Sequence, residues 1–306
     1  MLLVWVWAIP LALVALLGLT ALVVWLGTER AIHPQPLEVL PEPAEYPSIQ
    51  GHLEPVSFAS RDGTRLAGWF LPLDGPAIGD SPHGPAIILA HGYASNKREM
   101  LPHAAMLRRG GYSLLLFDFR AQGDSGGRAV TLSYREAQDV LGALDYLQVQ
   151  NGVDRERIGI LGVSMGGAAA ISAASVCPEI KAVAVEAAFS NLDEVISRGF
   201  RKFVKLPPFP LATLIVRLTE FRLGLRATDI APVKQVGHIS PRPILIMHGR
   251  EDQLVDQQSS EILYREAGDP KELWLIPGLG HAHGALIVGA EYELRIRAFF
   301  DTHLKR

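Results

Sequence analysis

Six near-continuous apolar runs recur along the chain: PAIILA at 85–90, YSLLLFDF at 112–119, RIGILGV at 157–163, KAVAVEA at 181–187, RPILIMHG at 242–249 and KELWLIP at 271–277. Runs of this kind, lacking polar alternation, are strands buried on both faces, and that requires helices on the two sides of a parallel sheet. The stretches between and after them supply those helices: REMLPHAAMLRRG, SYREAQDVLGALDYLQVQ, GGAAAISAAS, DQQSSEILYREAG and AEYELRIRAFFDTHLK. Strand and helix in alternation predict an α/β fold with a mostly parallel central sheet and helices on both faces. Ahead of this pattern, EPVSFAS and RLAGWFLP flank the Asp-Gly signal of RDGT and predict an antiparallel hairpin. In sheets of this type, binding and chemistry collect in loops at the carboxyl ends of the strands.

The N-terminus is a second compositional regime. MLLVWVWAIPLALVALLGLTALVVWLG carries no charged side chain, and the first charge is Glu29. About 26 helical residues span roughly 39 Å, more than the ~30 Å hydrocarbon layer. Residues 1–27 are therefore expected to form a single transmembrane helix that contacts membrane lipid. A cleaved signal peptide is the alternative, but it would show a basic start, a shorter apolar core and a small-residue exit, and none is clear here. Trp5, Trp7 and Trp25 near the two ends suit interfacial belts, although a tryptophan in an apolar helix also serves plain packing. Arg30 is flanked by Glu29, so charge leaves the orientation open. Residues 28–50, rich in proline, are expected to be an extended spacer, and 51–306 the main domain.

Composition narrows the classes that remain. A content of 48% hydrophobic residues in 306 is enough for a large core. A formal charge of -3 without a Lys/Arg block gives no field for nucleic acid. The single cysteine, Cys177, can form neither an intramolecular disulfide nor a cysteine zinc site, so it reads as a small buried side chain. No metal-ligand spacing such as H-E-x-x-H occurs, and neither a metal nor a cofactor is expected. Residues from about 190 to 238 break the strand-helix rhythm with two apolar helical patches around Pro207, Pro208 and Pro210, and read as an inserted helical cap.

The chemistry centres on LGVSMGG, residues 161–167. A sharp turn from buried strand to helix lifts the apical side chain out of the backbone and needs small residues two positions either side. Ser164 is the apex, and Gly162 and Gly166 hold the flanking places. The helix starting at Met165 would aim its first N–H groups at charge developing next to Ser164. A serine nucleophile needs a base, and the base needs a carboxylate to orient it. Asp252 in ILIMHGREDQLV and His281 in WLIPGLGHAHG lie in loops past successive strands, in the order serine, acid, histidine. Glu251, adjoining Asp252, or His283, two residues beyond His281, could replace them, and Glu186 or Asp193 could supply the acid. For the oxyanion, the loop LAHGYASNK should contribute the Tyr93 N–H beside that of Met165, with Gly92 allowing close approach and His91 organising the loop. Asp118, Arg120 and Asp124 of the glycine-rich FDFRAQGDSGG read as loop scaffolding.

At HGY (91–93), FDFRAQGDSGG (117–127), GVSMGG (162–167), HGREDQLV (248–255) and GLGH (278–281) the chain resembles the α/β-hydrolase superfamily over residues 52–304. An anchor ahead of this core looks like the branch of membrane-anchored serine hydrolases that includes acyl-protein thioesterases. The resemblance implies hydrolysis of a small-molecule or lipid ester, or a thioester, through an acyl-serine intermediate without a cofactor. A serine peptidase of the same fold would use the same residues. A non-enzymatic membrane adaptor would be expected to lack one of them.

Overall fold

The computed structural model describes residues 2–36, 39–73, 83–196, 198 and 209–305. The hairpin strands β1 (Glu54–Ala59) and β2 (Arg65–Leu71) pair antiparallel, joined through a turn in which Gly63 adopts φ 85° and its N–H donates to the Ser60 carbonyl at 2.8 Å. The apolar runs form β3 (Gly84–Ala90), β4 (Ser113–Phe117), β5 (Val153–Val163), β6 (Ile180–Glu186), β7 (Ile244–Gly249) and β8 (Lys271–Ile276). The eight strands make one sheet in the order β1-β2-β4-β3-β5-β6-β7-β8, with β3 to β8 mutually parallel.

Helices α3 (Leu101–Arg109) and α9 (Ala290–Leu304) cover one face, where Leu101, Leu107, Phe299 and Phe300 pack on Ile87, Leu89 and Leu161. Helices α4 (Glu136–Gln148), α5 (Met165–Val176) and α7 (Gln257–Glu266) cover the other, with Val140, Leu144, Ile171 and Leu263 against Ile88, Ile160 and Ile246. Strands β3, β4 and β7 are buried along their whole length, as expected of strands sandwiched between helical layers. Cys177 is buried at the end of α5.

The cap contributes helix α6 (Leu211–Leu223), which stops at Gly224 in the left-handed region, its N–H bonded to the Glu220 carbonyl at 2.9 Å. Residues 197 and 199–208, including Pro207 and Pro208, lie outside the described residues. Ala227 and Ile230 from the cap pack with Phe189, Leu192, Val255 and Ala168, so the cap rests on loops at the carboxyl end of the sheet.

The N-terminal helix α1 spans Leu2–Ile32, five residues past the expected end of the anchor. Glu29, Arg30 and Ala31 are good helix formers, and the helix, which accommodates Pro10 within it, ends just ahead of Pro34, a proline that constrains the residue before it. The expected extended spacer therefore begins later than residue 28. It also contains a turn at Pro43–Glu45 and the short helix α2 (Pro47–Gln50), which buries Ile49 in the α3/α9 layer.

Candidate active site

Two consecutive strands leave β3 on opposite sides, β4 to one and β5 to the other, so a crevice opens at their carboxyl ends. The register pairs Ala90 with Gly162, which sets the loop after β3 beside the turn after β5. Ser164 is the apex of that turn, at φ 52° and ψ -114°, a conformation disfavoured for a residue with a side chain. A Cβ on Gly166 would lie 2.3 Å from the Ala90 carbonyl oxygen, and one on Gly162 would lie 2.4 Å from that of Gly166. Both positions need glycine so that α5 can start this close to two strands.

The loops after β7 and β8 bring two further side chains to Ser164. His281 Nε2 lies 3.0 Å from Ser164 Oγ, and His281 Nδ1 lies 2.7 Å from Asp252 Oδ2. An ionised carboxylate only accepts, so Nδ1 carries the proton and Nε2 presents a lone pair to the serine hydroxyl. Asp252 is buried, and its Oδ1 accepts the N–H groups of Leu254 at 2.8 Å and Val255 at 3.0 Å. Burial pushes its pKa up, but hydrogen bonds from His248, His281 and Leu254 outweigh this and hold the carboxyl well below the usual range.

His248, fully buried at the end of β7, is a further member of this group and is not among the candidates drawn from the sequence. Its Nε2 is 3.2 Å from Asp252 Oδ2 and 3.1 Å from the Val255 carbonyl oxygen, both acceptors. Nε2 must then be protonated, leaving Nδ1 to accept from Ser260 Oγ at 2.6 Å. The available signal was its place four residues before Asp252, where a strand gives way to a tight loop.

Glu186, at the end of β6, does not face His281 as a substitute acid. Its Oε1 accepts the Gly284 N–H at 2.8 Å, its Oε2 accepts from the Tyr292 hydroxyl, and His103 Nε2 is 3.8 Å away. Burial raises its pKa, yet the His103 and Tyr292 contacts bring the net shift below the ordinary value. Its backbone carbonyl accepts the Ser164 N–H at 2.8 Å, so one residue ties the serine turn to the chain just past His281. Glu251 and Asp193 are exposed, and His283 sits at φ 69° as the N-cap of the short helix α8 (Gly284–Ile287). Among the described residues, no side-chain hydrogen bond links Glu251 or Asp193 to Ser164 or to the ring of His281.

In the β3 loop, a Cβ on Gly92 would be 3.6 Å from Ser164 Cβ, and the Gly92 N–H donates to Glu99 Oε2 at 2.9 Å. Among the described residues no acceptor engages the Tyr93 N–H. Met165 is the first residue of α5, where an N–H has no partner within the helix. His91 is buried with both ring nitrogens in use: Nδ1 is 2.7 Å from the Gly92 carbonyl oxygen and Nε2 accepts the Phe119 N–H at 3.0 Å. Asp118 accepts from Lys97 and from the Asp124 N–H, and Arg120 is fixed by Asp139 and Asp62, which makes the glycine-rich segment a braced loop. The arrangement can hold a serine hydroxyl against a correctly tautomerised imidazole.

Comparison with known proteins agrees with this architecture. A family model described as X-Pro dipeptidyl-peptidase (S15 family) matches residues 62–207. The uncharacterized protein MT2364 of Mycobacterium tuberculosis is 31% identical over 241 residues, 78% of this chain and 76% of that one. The thiohydrolase aneE of Aspergillus aculeatus is 31% identical over 208 residues, 64% of this chain and 59% of its own. Among solved structures, the Pyrococcus furiosus esterase PF2001 superposes with a TM-score of 0.70 at 26% identity, covering 88% of this chain and 98% of the esterase.

Proposed function

The chain belongs to the α/β-hydrolase superfamily, and from that premise we propose that it is a membrane-anchored serine hydrolase acting on carboxylic esters or thioesters. The observation that carries the proposal is the unbroken hydrogen-bonded line from Ser164 Oγ through His281 to Asp252. Ser164 Oγ attacks the acyl carbon while His281 Nε2 takes its proton, and Asp252 stabilises the imidazolium that forms. The N–H groups of Met165 and Tyr93 receive the oxyanion. His281 then returns the proton to the departing alcohol or thiol, and water repeats the sequence to free the acid from the acyl-serine. The likenesses to an esterase and a thiohydrolase favour this substrate class.

A fluorophosphonate probe tests the nucleophile. The full-length chain in detergent is expected to label stoichiometrically and Ser164→Ala not at all, and an unlabelled wild-type chain would refute the proposal. The match to a dipeptidyl-peptidase family supports a second reading, cleavage of a peptide bond after proline. Parallel assays with an Ala-Pro anilide and a series of p-nitrophenyl esters decide between them. Turnover of the esters alone is the expected outcome.

A further inference from the structure

Burial along α1 sets in on one face only, while Leu22, Val23, Trp25 and Leu26 on its other faces stay exposed. From Ile9 to Leu19 every residue is exposed, and all of these are apolar or glycine. From Thr20 onward one stripe turns inward: Val24 is 8% exposed, Thr28 0% and Ile32 3%, at the four-residue spacing that marks one helix face. This second part is bound to the main domain by specific contacts. Thr28 Oγ1 donates to the Ile215 carbonyl at 3.5 Å, Glu29 pairs with Arg222 at 2.6 Å, and the Ile32 carbonyl accepts the Val130 N–H at 2.9 Å. Leu2 to Thr20, 19 helical residues, spans about 28 Å, close to the thickness of a hydrocarbon layer. The stripe of Val24, Thr28 and Ile32 thus belongs to the protein, while the apolar length before it fits a bilayer and the opposite face stays apolar and exposed as far as Leu26.

The partner at the division is the cap. Helix α6 packs on α1, and between them runs a groove of about 460 Å³ lined by Leu17, Thr20 and Val24 on one wall and Leu214, Leu218 and Phe221 on the other. Phe221 is 84% exposed and Leu214 43%. Arg217 lines the same groove, largely exposed, paired with Glu220 at 2.9 Å. A helix seated where a membrane span emerges, with apolar side chains facing outward and a long basic side chain beside them, is placed to lie in the bilayer interface. We infer that α6 is an interfacial membrane helix and that the groove between α6 and α1 takes an acyl chain of a phospholipid from the adjacent leaflet, with Arg217 reaching the headgroup phosphate. The inference rests on α1 crossing the membrane. It would place the cap, and so the approach to Ser164, against the surface from which a lipid-borne ester arrives.

Spin-label accessibility tests it in the full-length chain reconstituted into phosphatidylcholine/phosphatidylglycerol vesicles. Single cysteines replace Phe221, Leu214, Leu13 or Val149, each carrying a nitroxide. Cys177 is buried and the unlabelled-site background is read from the parent chain. Val149, exposed at the end of α4, is the water reference, and Leu13 the bilayer reference. Each variant is first shown to melt with the parent. Labels at Phe221 and Leu214 are expected to show an oxygen-to-nickel-chelate accessibility ratio several-fold above Val149 and below Leu13. A Phe221 label as open to the nickel chelate as Val149, with Leu13 deep in lipid, overturns the inference and leaves the anchor standing. A Leu13 label in water overturns the anchor itself. Spin–spin broadening at Phe221 that disappears on dilution with unlabelled chain would give the groove to a second copy, and also overturns the inference.

Discussion

At the scale of single residues, the site depends on which oxygen and which nitrogen carry protons. Asp252 fixes the His281 tautomer, and an amide in its place would donate to Nδ1 and turn the wrong nitrogen toward Ser164. Asp252→Asn is therefore expected to reduce kcat by about 10⁴-fold, the scale seen when a triad aspartate is replaced. Glu251→Gln, on an exposed neighbour, is expected to leave kcat within about twofold. Steady-state rates with a p-nitrophenyl ester measure both, and an inactive Glu251→Gln with an active Asp252→Asn would overturn the assignment. The same carboxyl has a signature in stability. Its folded pKa lies below the value near 3.9 of an unfolded aspartate, so its charge stabilises the fold above that pH, and the contribution is lost as pH falls through the folded value. Urea titrations of wild type and Asp252→Asn between pH 6 and about 3 should show the stability gap narrowing toward acid. A gap that widens would mean that the carboxyl is not held ionised by its neighbours.

Elements place those residues, and here the sequence was legible to a definite depth. The hairpin and the parallel strands could be read because each needs only a local pattern: an Asp-Gly turn between β-formers, or an apolar run too long to alternate. The serine turn was also readable, since its glycines answer a steric demand within five residues. What escaped is made by convergence. Glu186, legible only as a possible acid, matters through His103, Tyr292 and Gly284, partners up to 106 positions away whose meeting no local pattern announces, whereas His248 meets Asp252 and Ser260 within 12 positions and is signalled only by its place four residues before Asp252. The end of α1 is set by both scales: the helix formers Glu29 to Ala31 carry it past residue 27, and Thr28 and Glu29 also meet Ile215 and Arg222 of the cap. The serine turn gives a test of how tightly the elements are fitted. Gly166→Ala puts a methyl group against the Ala90 and His91 carbonyl oxygens and must push α5 off the β3 loop. A displacement of about 1 Å is enough to cost on the order of 100-fold in rate. Fluorophosphonate labelling should slow to that degree, while Gly51→Ala, with no atom within 4 Å of the new methyl group, should label like wild type.

For the whole molecule, the docked part of α1 makes the N-terminal helix a component of the main domain, beyond the tethering proposed for its exposed length. The Tyr93 hydroxyl lies 3.1 Å from the carbonyl oxygens of both Arg30 and Ala31, so the last turn of the helix meets the side chain of the residue proposed to hold the oxyanion. Burial pushes the Tyr93 pKa up to about 12, which keeps its hydroxyl a donor to those carbonyls throughout the neutral range. Two truncations separate tether from component. A chain beginning at Ala21 loses the exposed length and keeps Val24, Thr28, Ile32 and the Tyr93 contact, whereas one beginning at Pro34 loses them all. Withdrawing Val24 and Ile32 from their buried sites costs about 1.5–3 kcal/mol each, and for a domain of this size that is a fall in Tm of roughly 10 °C. Measured in the same mild detergent, the shorter chain is expected to melt lower by that amount and to turn over even a water-soluble acetyl ester more slowly. The chain from Ala21 should match full-length protein in both. Equal melting and equal turnover of the two truncations would show that the helix serves only as a tether and that the oxyanion loop holds its shape without it.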